Sequence, residues 1–143
     1  VSGLDPALPP SYITLAGVRD TDPLEQELID RHRIAMISPA ELIEAGAAVE
    51  RQMARLAEIT DVIYVHIDMD VLHPREVPGH SLNVPGGPTS RELAAALAVM
   101  FRHPKVAALG IASTPYGEDD PDKVSLRAAY NLVSGAISGL QQR

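Results

Sequence analysis

The sequence predicts an α/β fold with parallel strands and helices on both faces of the sheet. Three observations carry that expectation. Short β-branched runs alternate with longer stretches of helical periodicity, in the order β-α-β-α-β-loop-α-β-α, which implies parallel strands joined by helical crossovers. Capping signals stand where the helices should begin. The 143 residues, 45% apolar and 22% charged, suit one domain able to bury a core.

Tyr12 to Val18 is an apolar run bounded by Pro10 and Asp20 and reads as a buried strand. Asp22-Pro23 opens a helix with Glu25 and Glu27 in its first turns, where negative charge suits the helix dipole. Ile34 to Ile37 is a second short strand. Ser38-Pro39-Ala40-Glu41 is a capping box, and the helix it starts carries Leu42, Gly46, Val49, Met53 and Leu56 on one stripe. Val62 to Ile67 is nearly continuous in apolar and aromatic residues, as a central strand buried on both faces should be. Residues 71–88, rich in proline and glycine, form a long ordered loop, and such loops in compact domains are commonly functional. Thr89-Ser90-Arg91-Glu92 starts a helix with Leu93, Leu97 and Met100 in phase. Val106 to Ala112 is a further strand, Gly117 to Asp122 an acidic turn. The last helix carries Leu126, Tyr130, Val133, Ile137 and Leu140 on one face.

Composition narrows the function. Twelve Lys and Arg against nineteen Asp and Glu give a net charge of −7, without the basic surface that nucleic acid requires. There is no cysteine, so a metal would be held by His and carboxylates. No apolar run is long enough to span a membrane and no signal-peptide pattern opens the chain, so a soluble, cytoplasmic protein is expected. The chain begins at Val1 with three prolines in its first ten residues, as a processed start would, or the cut edge of a larger domain.

In parallel α/β sheets ligands bind beyond the carboxyl ends of the strands. There the third strand runs into Asp68-Met69-Asp70. Residues two apart on a strand point the same way, so two carboxylates stand side by side and call for a positive partner, most naturally a hard divalent cation. A capped strand end is the bland alternative. Asp20 and Asp22 repeat the spacing after the first strand. Asp22 before Pro23 is also a good helix N-cap, and Asp20 has Arg19 beside it to pair with. His66 reads as a packed core histidine. His73 and His80 lie in the long loop within reach of the carboxylates, whereas His32 and His103 sit at helix ends. Glu118, Asp119, Asp120 and Asp122 read as a solvated turn that caps the next helix. No P-loop, dinucleotide fingerprint or G-x-S-x-G elbow is present.

Asp68-Met69-Asp70-Val71-Leu72-His73-Pro74, then Pro78-Gly79, then Gly86-Gly87 before Arg91-Glu92, resembles the signature of the arginase/agmatinase (ureohydrolase) family. Upstream, Gly17-Val18-Arg19-Asp20-Thr21-Asp22-Pro23-Leu24-Glu25 resembles that family's G-x-R-D-x-D-P-x-E segment. Downstream, Leu109-Gly110-Ile111 and the final helix resemble its last strand and helix. The resemblance implies a three-layer α/β/α fold with a parallel sheet. It also implies a centre of two manganese ions activating a bridging water for attack on a guanidinium-type carbon. By position, Asp68 would bridge both metals, Asp70 would bind one, and Asp22 would lie near the substrate's polar tail. A small-molecule substrate and a homo-oligomer belong to the same expectation, with no nucleic acid or membrane partner.

Three departures accompany the match. Residues 1–143 resemble only the C-terminal half of the family domain, and nothing here resembles the G-G-D-H and D-A-H-x-D segments that supply the remaining ligands. A missing N-terminal half or another subunit would have to provide them, and the isolated chain is expected to bind manganese weakly and to be inactive. The acidic residue that grips the guanidinium falls at Ser113, in Ala112-Ser113-Thr114-Pro115. The loop's T-G-T-P is replaced by His80-Ser81-Leu82-Asn83, and the Ser often found before D-x-D is His66. Ser113 and His80 are therefore candidate substrate-binding positions alongside Asp22; no catalytic residue is assigned. Two other readings compete: a non-catalytic remnant or interaction module that keeps the half-fold, and a haloacid-dehalogenase-type phosphatase with Asp68 as nucleophile and Asp70 as acid/base.

Overall fold

The computed structural model describes residues 5–82 and 84–143; the readings of residues 1–4 and of Asn83 lie outside the described residues. In chain order the elements are β1 (Thr14–Ala16), α1 (Pro23–His32), β2 (Ala35–Ile37), α2 (Pro39–Glu44), α3 (Ala47–Ile59), β3 (Ile63–Asp68), α4 (Ser90–Phe101), β4 (Val106–Ala112) and α5 (Val124–Leu140). β1 pairs in parallel with β2, and β3 in parallel with β4, with Asp68 opposite Ala112. The parallel pairing is the one the sequence predicts and the class is α/β; the order gains one helix, and β3, expected as a central strand, pairs only with β4 among the described residues.

Local chemistry sets the helix starts. Asp22 with Glu25, Ser38 with Glu41, and Thr89 with Glu92 form complete capping boxes at α1, α2 and α4, each cap contributing about 1 kcal/mol. The single helix read from Ser38 onward is two. Ala45 turns left-handed (φ 49°) and Gly46 caps the next helix, which lets Leu42 and Val49 both reach the core. The first strand is shorter than expected, because Pro10–Tyr12 curl into a 3₁₀ turn that leaves Tyr12 exposed.

Two expectations about burial are corrected. β3 is not buried on both faces: Ile63 and Ile67 enter the core, while Tyr64 (60% exposed), His66 and Asp68 face outward. His66 is therefore no core histidine; its ring bonds the Tyr64 hydroxyl at 3.1 Å. In α5 the large apolar stripe is the wrong face. Leu126, Tyr130, Val133, Ile137 and Leu140 are exposed, and Ser125, Ala128, Leu132, Ala136 and Gly139 are buried. The small residues let α5 lie close on α4. A Cβ at Gly135 would fall 2.3 Å from the Ala94 carbonyl oxygen, and one at Gly139 2.4 Å from that of Ala98. Shape, not side-chain size, chose the buried face.

The core joins Ile37, Leu42, Val49 and Met53 to Leu97 and Leu132, so helices from α2 to α5 tie the strand pairs together. Between β1 and β3 there is no ladder among the described residues. A cleft of about 870 Å³ opens there, lined by residues of both strands such as Leu15, Ala16, Val65 and Ile67, with Arg19, Asp68 and Asp70 also on its wall. No helix among the described residues is long and apolar enough to cross a membrane.

The two faces of α5 give a direct test. Leu132→Ala should cost about 2–5 kcal/mol of unfolding free energy, and Tyr130→Ser should change it by no more than about 0.5 kcal/mol. Denaturation showing the reverse would restore the large stripe as the core face.

Candidate metal-binding site

The carboxyl end of β3 delivers Asp68 as its last residue. Met69–Val71 then curl into a 3₁₀ turn whose Asp70 N–H points to Asp68 Oδ1 at 3.4 Å. Met69 is fully buried and anchors the turn. The two carboxylates are thus brought together by a tight turn rather than by strand alternation. His80 joins them from the long loop: one ligand atom from each of Asp68, Asp70 and His80 lies within 4.8 Å of the others, and His80 Nε2 is 4.0 Å from Asp68 Oδ1. Two oxygen donors and one imidazole nitrogen are a donor set suited to a divalent transition ion.

Electrostatics show the strain in that arrangement. Burial raises the Asp70 carboxyl above its ordinary range, and the negative charge of Asp68 raises it further; His80 and Arg19 partly offset both. A carboxylate that burial and a neighbouring negative charge hold back from ionising, as they do Asp70, is one that a cation would relieve.

Arg19, which the sequence offers as a partner for Asp20 and as part of the G-x-R-D-x-D-P-x-E segment, is the organising residue. Its guanidinium donates to four carbonyls: Nη1 to Gly17 (3.1 Å) and Val71 (2.7 Å), Nη2 to Asp70 (2.7 Å) and Val84 (3.1 Å). The packing around it requires glycine. Gly17 is left-handed (φ 76°), and a Cβ there would fall 2.7 Å from a Val71 methyl carbon; one at Gly87 would fall 2.3 Å from the Val71 oxygen and 2.9 Å from Arg19 Nη1. The segments around Gly17-Val18-Arg19 and Gly86-Gly87 therefore close on the turn that carries Asp70. The glycine-and-arginine pattern was the signal for this in the sequence, but the contacts are long-range.

The other candidates divide. Asp22 is exposed and its Oδ1 caps α1, accepting from the N–H groups of Leu24 and Glu25 at 2.7 and 2.9 Å. Asp20 is exposed. His73 turns away from the carboxylates, its Nδ1 accepting from the Arg75 N–H at 3.2 Å. Ser113 stands just past β4 in a left-handed conformation (φ 57°), a costly geometry for a serine. With His80 and Ser81 it lines a second hollow of about 420 Å³. In the acidic turn Asp120 is buried and accepts from the N–H groups of Ser125 and Leu126, each at 3.0 Å, while Glu118 and Asp119 stay exposed.

A parallel α/β chain with paired carboxylates at a strand's carboxyl end defines the class, an α/β domain with a candidate metal site at its strand ends. The particular family follows from comparison. The family model described as the arginase family matches residues 4–137, and the chain belongs to that family. It is 33% identical over 94 residues to an arginase of Bacillus caldovelox, covering 64% of this chain and 31% of that protein. Over 105 residues it is 30% identical to an arginase of Staphylococcus aureus (strain MRSA252), covering 71% and 35%. The solved Bacillus caldovelox arginase superposes with a TM-score of 0.75 at 25% identity, over 96% of this chain and 46% of that one. A formimidoylglutamase from Bacillus subtilis shares the fold, with a TM-score of 0.77 at 23% identity over 92% and 42%. The chain spans about a third of the length of these curated relatives and less than half of the solved structures.

The raised Asp70 carboxyl has a consequence for stability. The unfolded chain gives up this proton at lower pH than the folded one, so rising pH favours unfolding until Asp70 is ionised in both states. Without metal, Asp70→Asn should stabilise the protein at pH 7, by up to about 1 kcal/mol for a partly exposed group. The gain should fade as pH falls through the carboxylate range. Denaturation in chelator at pH 7 and pH 4 checks this; a destabilised variant at pH 7 would contradict it.

Proposed function

We propose that this chain is the carboxylate-bearing, C-terminal portion of a manganese-dependent hydrolase of the ureohydrolase type. Its substrate would be guanidino- or amidine-like and its target a non-peptide C–N bond. The observation that carries this reading is the cluster of Asp68, Asp70 and His80 at the carboxyl end of β3 in a chain of the arginase family. When bound, a pair of manganese ions supplies a water of lowered pKa poised as a nucleophile. Asp68 and Asp70 would hold the metal, and Arg19 keeps their turn in place. Asp22, Ser113 and His80 would border the substrate.

Three donors are too few for two ions. The remaining ligands would come from the rest of an arginase-family domain, as a missing N-terminal half or another subunit, seated against the cleft between β1 and β3. The apolar lining of that cleft and the outward face of Tyr64 and His66 support this. A cytoplasmic homo-oligomer belongs to the same reading.

The substrate would be less cationic than arginine or agmatine. A guanidinium is planar and permanently charged, and a carboxylate grips it through two parallel charge-assisted bonds. The Ser113 hydroxyl offers one ordinary bond at most. A charge-assisted bond contributes roughly 1.5–3 kcal/mol, so its loss should cost about ten- to a hundredfold in transition-state binding. That a solved relative is named for a formimidoyl substrate fits an amidine-like choice. With manganese, the full-length protein should release urea poorly from arginine, agmatine and guanidinobutyrate, and Ser113→Glu should raise the rate. Robust urea release by the unmutated protein, unchanged or reduced by Ser113→Glu, would overturn this assignment. Hydrolysis insensitive to Asp70→Asn would overturn the metal-hydrolase reading itself.

A further inference from the structure

We propose that His80 Nε2 is a third protein ligand to the divalent ion held by Asp68 and Asp70, an inference that rests on the metal-hydrolase reading above. Donors sharing one ion at bonds of about 2.1 Å stand about 3 Å apart when adjacent and about 4 Å apart when opposite. His80 Nε2 is 4.0 Å from Asp68 Oδ1, and all three donors fall within 4.8 Å. The cluster is within about an ångström of the dimensions of a coordination sphere, a gap that small side-chain rotations close.

The ring is also aimed. His80 Nδ1 lies 3.0 Å from the Leu82 N–H nitrogen and 3.2 Å from the Leu82 carbonyl oxygen. Either neutral tautomer is therefore satisfied on that side by the same residue. With the proton on Nε2, Nδ1 accepts from the Leu82 N–H. With the proton on Nδ1, that group donates to the Leu82 oxygen, and the Nε2 lone pair is directed at the carboxylates. The second arrangement is the outer hydrogen bond that metal-bound histidines characteristically make to a carbonyl or carboxylate. The side chain is only 11% exposed, which holds the ring in place. A shift of one proton across the imidazole thus exchanges the bond accepted from the Leu82 N–H for one donated to the Leu82 oxygen.

Chemically, an imidazole nitrogen beside two carboxylates turns a hard oxygen site into a mixed one. It should favour manganese, cobalt and zinc over magnesium. It also raises the number of donors from this chain to three, above the two carboxylates counted from the sequence, although three still cannot complete a pair of ions.

The test uses the full-length protein with zinc as a diamagnetic probe and manganese for affinity. Long-range ¹H–¹⁵N spectra, assigned with His80→Gln, should show the His80 ring in the Nδ1–H form with a zinc-shifted Nε2 on saturation. Calorimetry should show His80→Gln weakening zinc and manganese binding at least ~10-fold, with unchanged circular dichroism. Zinc that saturates a site abolished by Asp68→Asn, while the His80 ring signals stay unchanged and His80→Gln binds as tightly, would overturn the His80 assignment and leave the metal reading standing. Failure of either ion to bind would overturn both.

Discussion

Arg19 bonds the carbonyl oxygens of Gly17, Asp70, Val71 and Val84 with one planar group, and the geometry of the site depends on that clamp. It joins the end of β1 to the turn after β3, across the boundary where no strand ladder connects them among the described residues. Five fixed donors on a rigid plane can answer several carbonyls at once; a lysine cannot. Gly17 and Gly87 make the approach possible, since a side-chain carbon at either would collide with Val71 or with Arg19 itself. Segments some seventy residues apart in the chain thus close on one turn, and that turn presents Asp70.

From this constraint the chemistry follows. The turn sets Asp70 beside Asp68, and burial together with the negative charge of Asp68 raises the Asp70 carboxyl. A cation would resolve the conflict, and the His80 imidazole approaches the same point from the loop. The same end of the molecule is open toward the cleft between β1 and β3, with Asp68 and Asp70 on its wall. An apolar cleft beside a cluster of only three potential metal donors among the described residues fits the proposal of a site finished by further polypeptide.

Much of this was legible in the sequence, for identifiable reasons. The capping boxes at Asp22, Ser38 and Thr89 are local chemistry, and all three helices start where they indicate. The D-x-D and its proline-glycine loop point to the candidate cluster of Asp68, Asp70 and His80, because strand ends and long loops are local signals too. Burial was less readable. A helix stripe of Leu126, Tyr130, Val133, Ile137 and Leu140 promises a core face, yet the close contact with α4 admits only the Ala and Gly side of α5. The apolar run of β3 was similarly misread, because its outward face has no cover among the described residues. The clamping role of Arg19 is not legible for another reason: its acceptors are backbone carbonyls, which carry no residue-specific signature. Ser113 was legible as a departure from the family pattern, but its left-handed backbone was not.

Amide hydrogen exchange in an Arg19→Lys variant tests the clamp most directly. The Leu72 N–H bonds the Met69 oxygen at 3.2 Å, and the His73 N–H bonds the Pro88 oxygen at 2.8 Å; both lie on the segment that Arg19 ties down. If the clamp holds the turn, these two amides should exchange at least ~10-fold faster in the variant through local opening, while the β3–β4 ladder keeps its protection. Unchanged exchange at Leu72 and His73, or equal acceleration throughout the ladder, would contradict the claim that Arg19 positions the carboxylate turn.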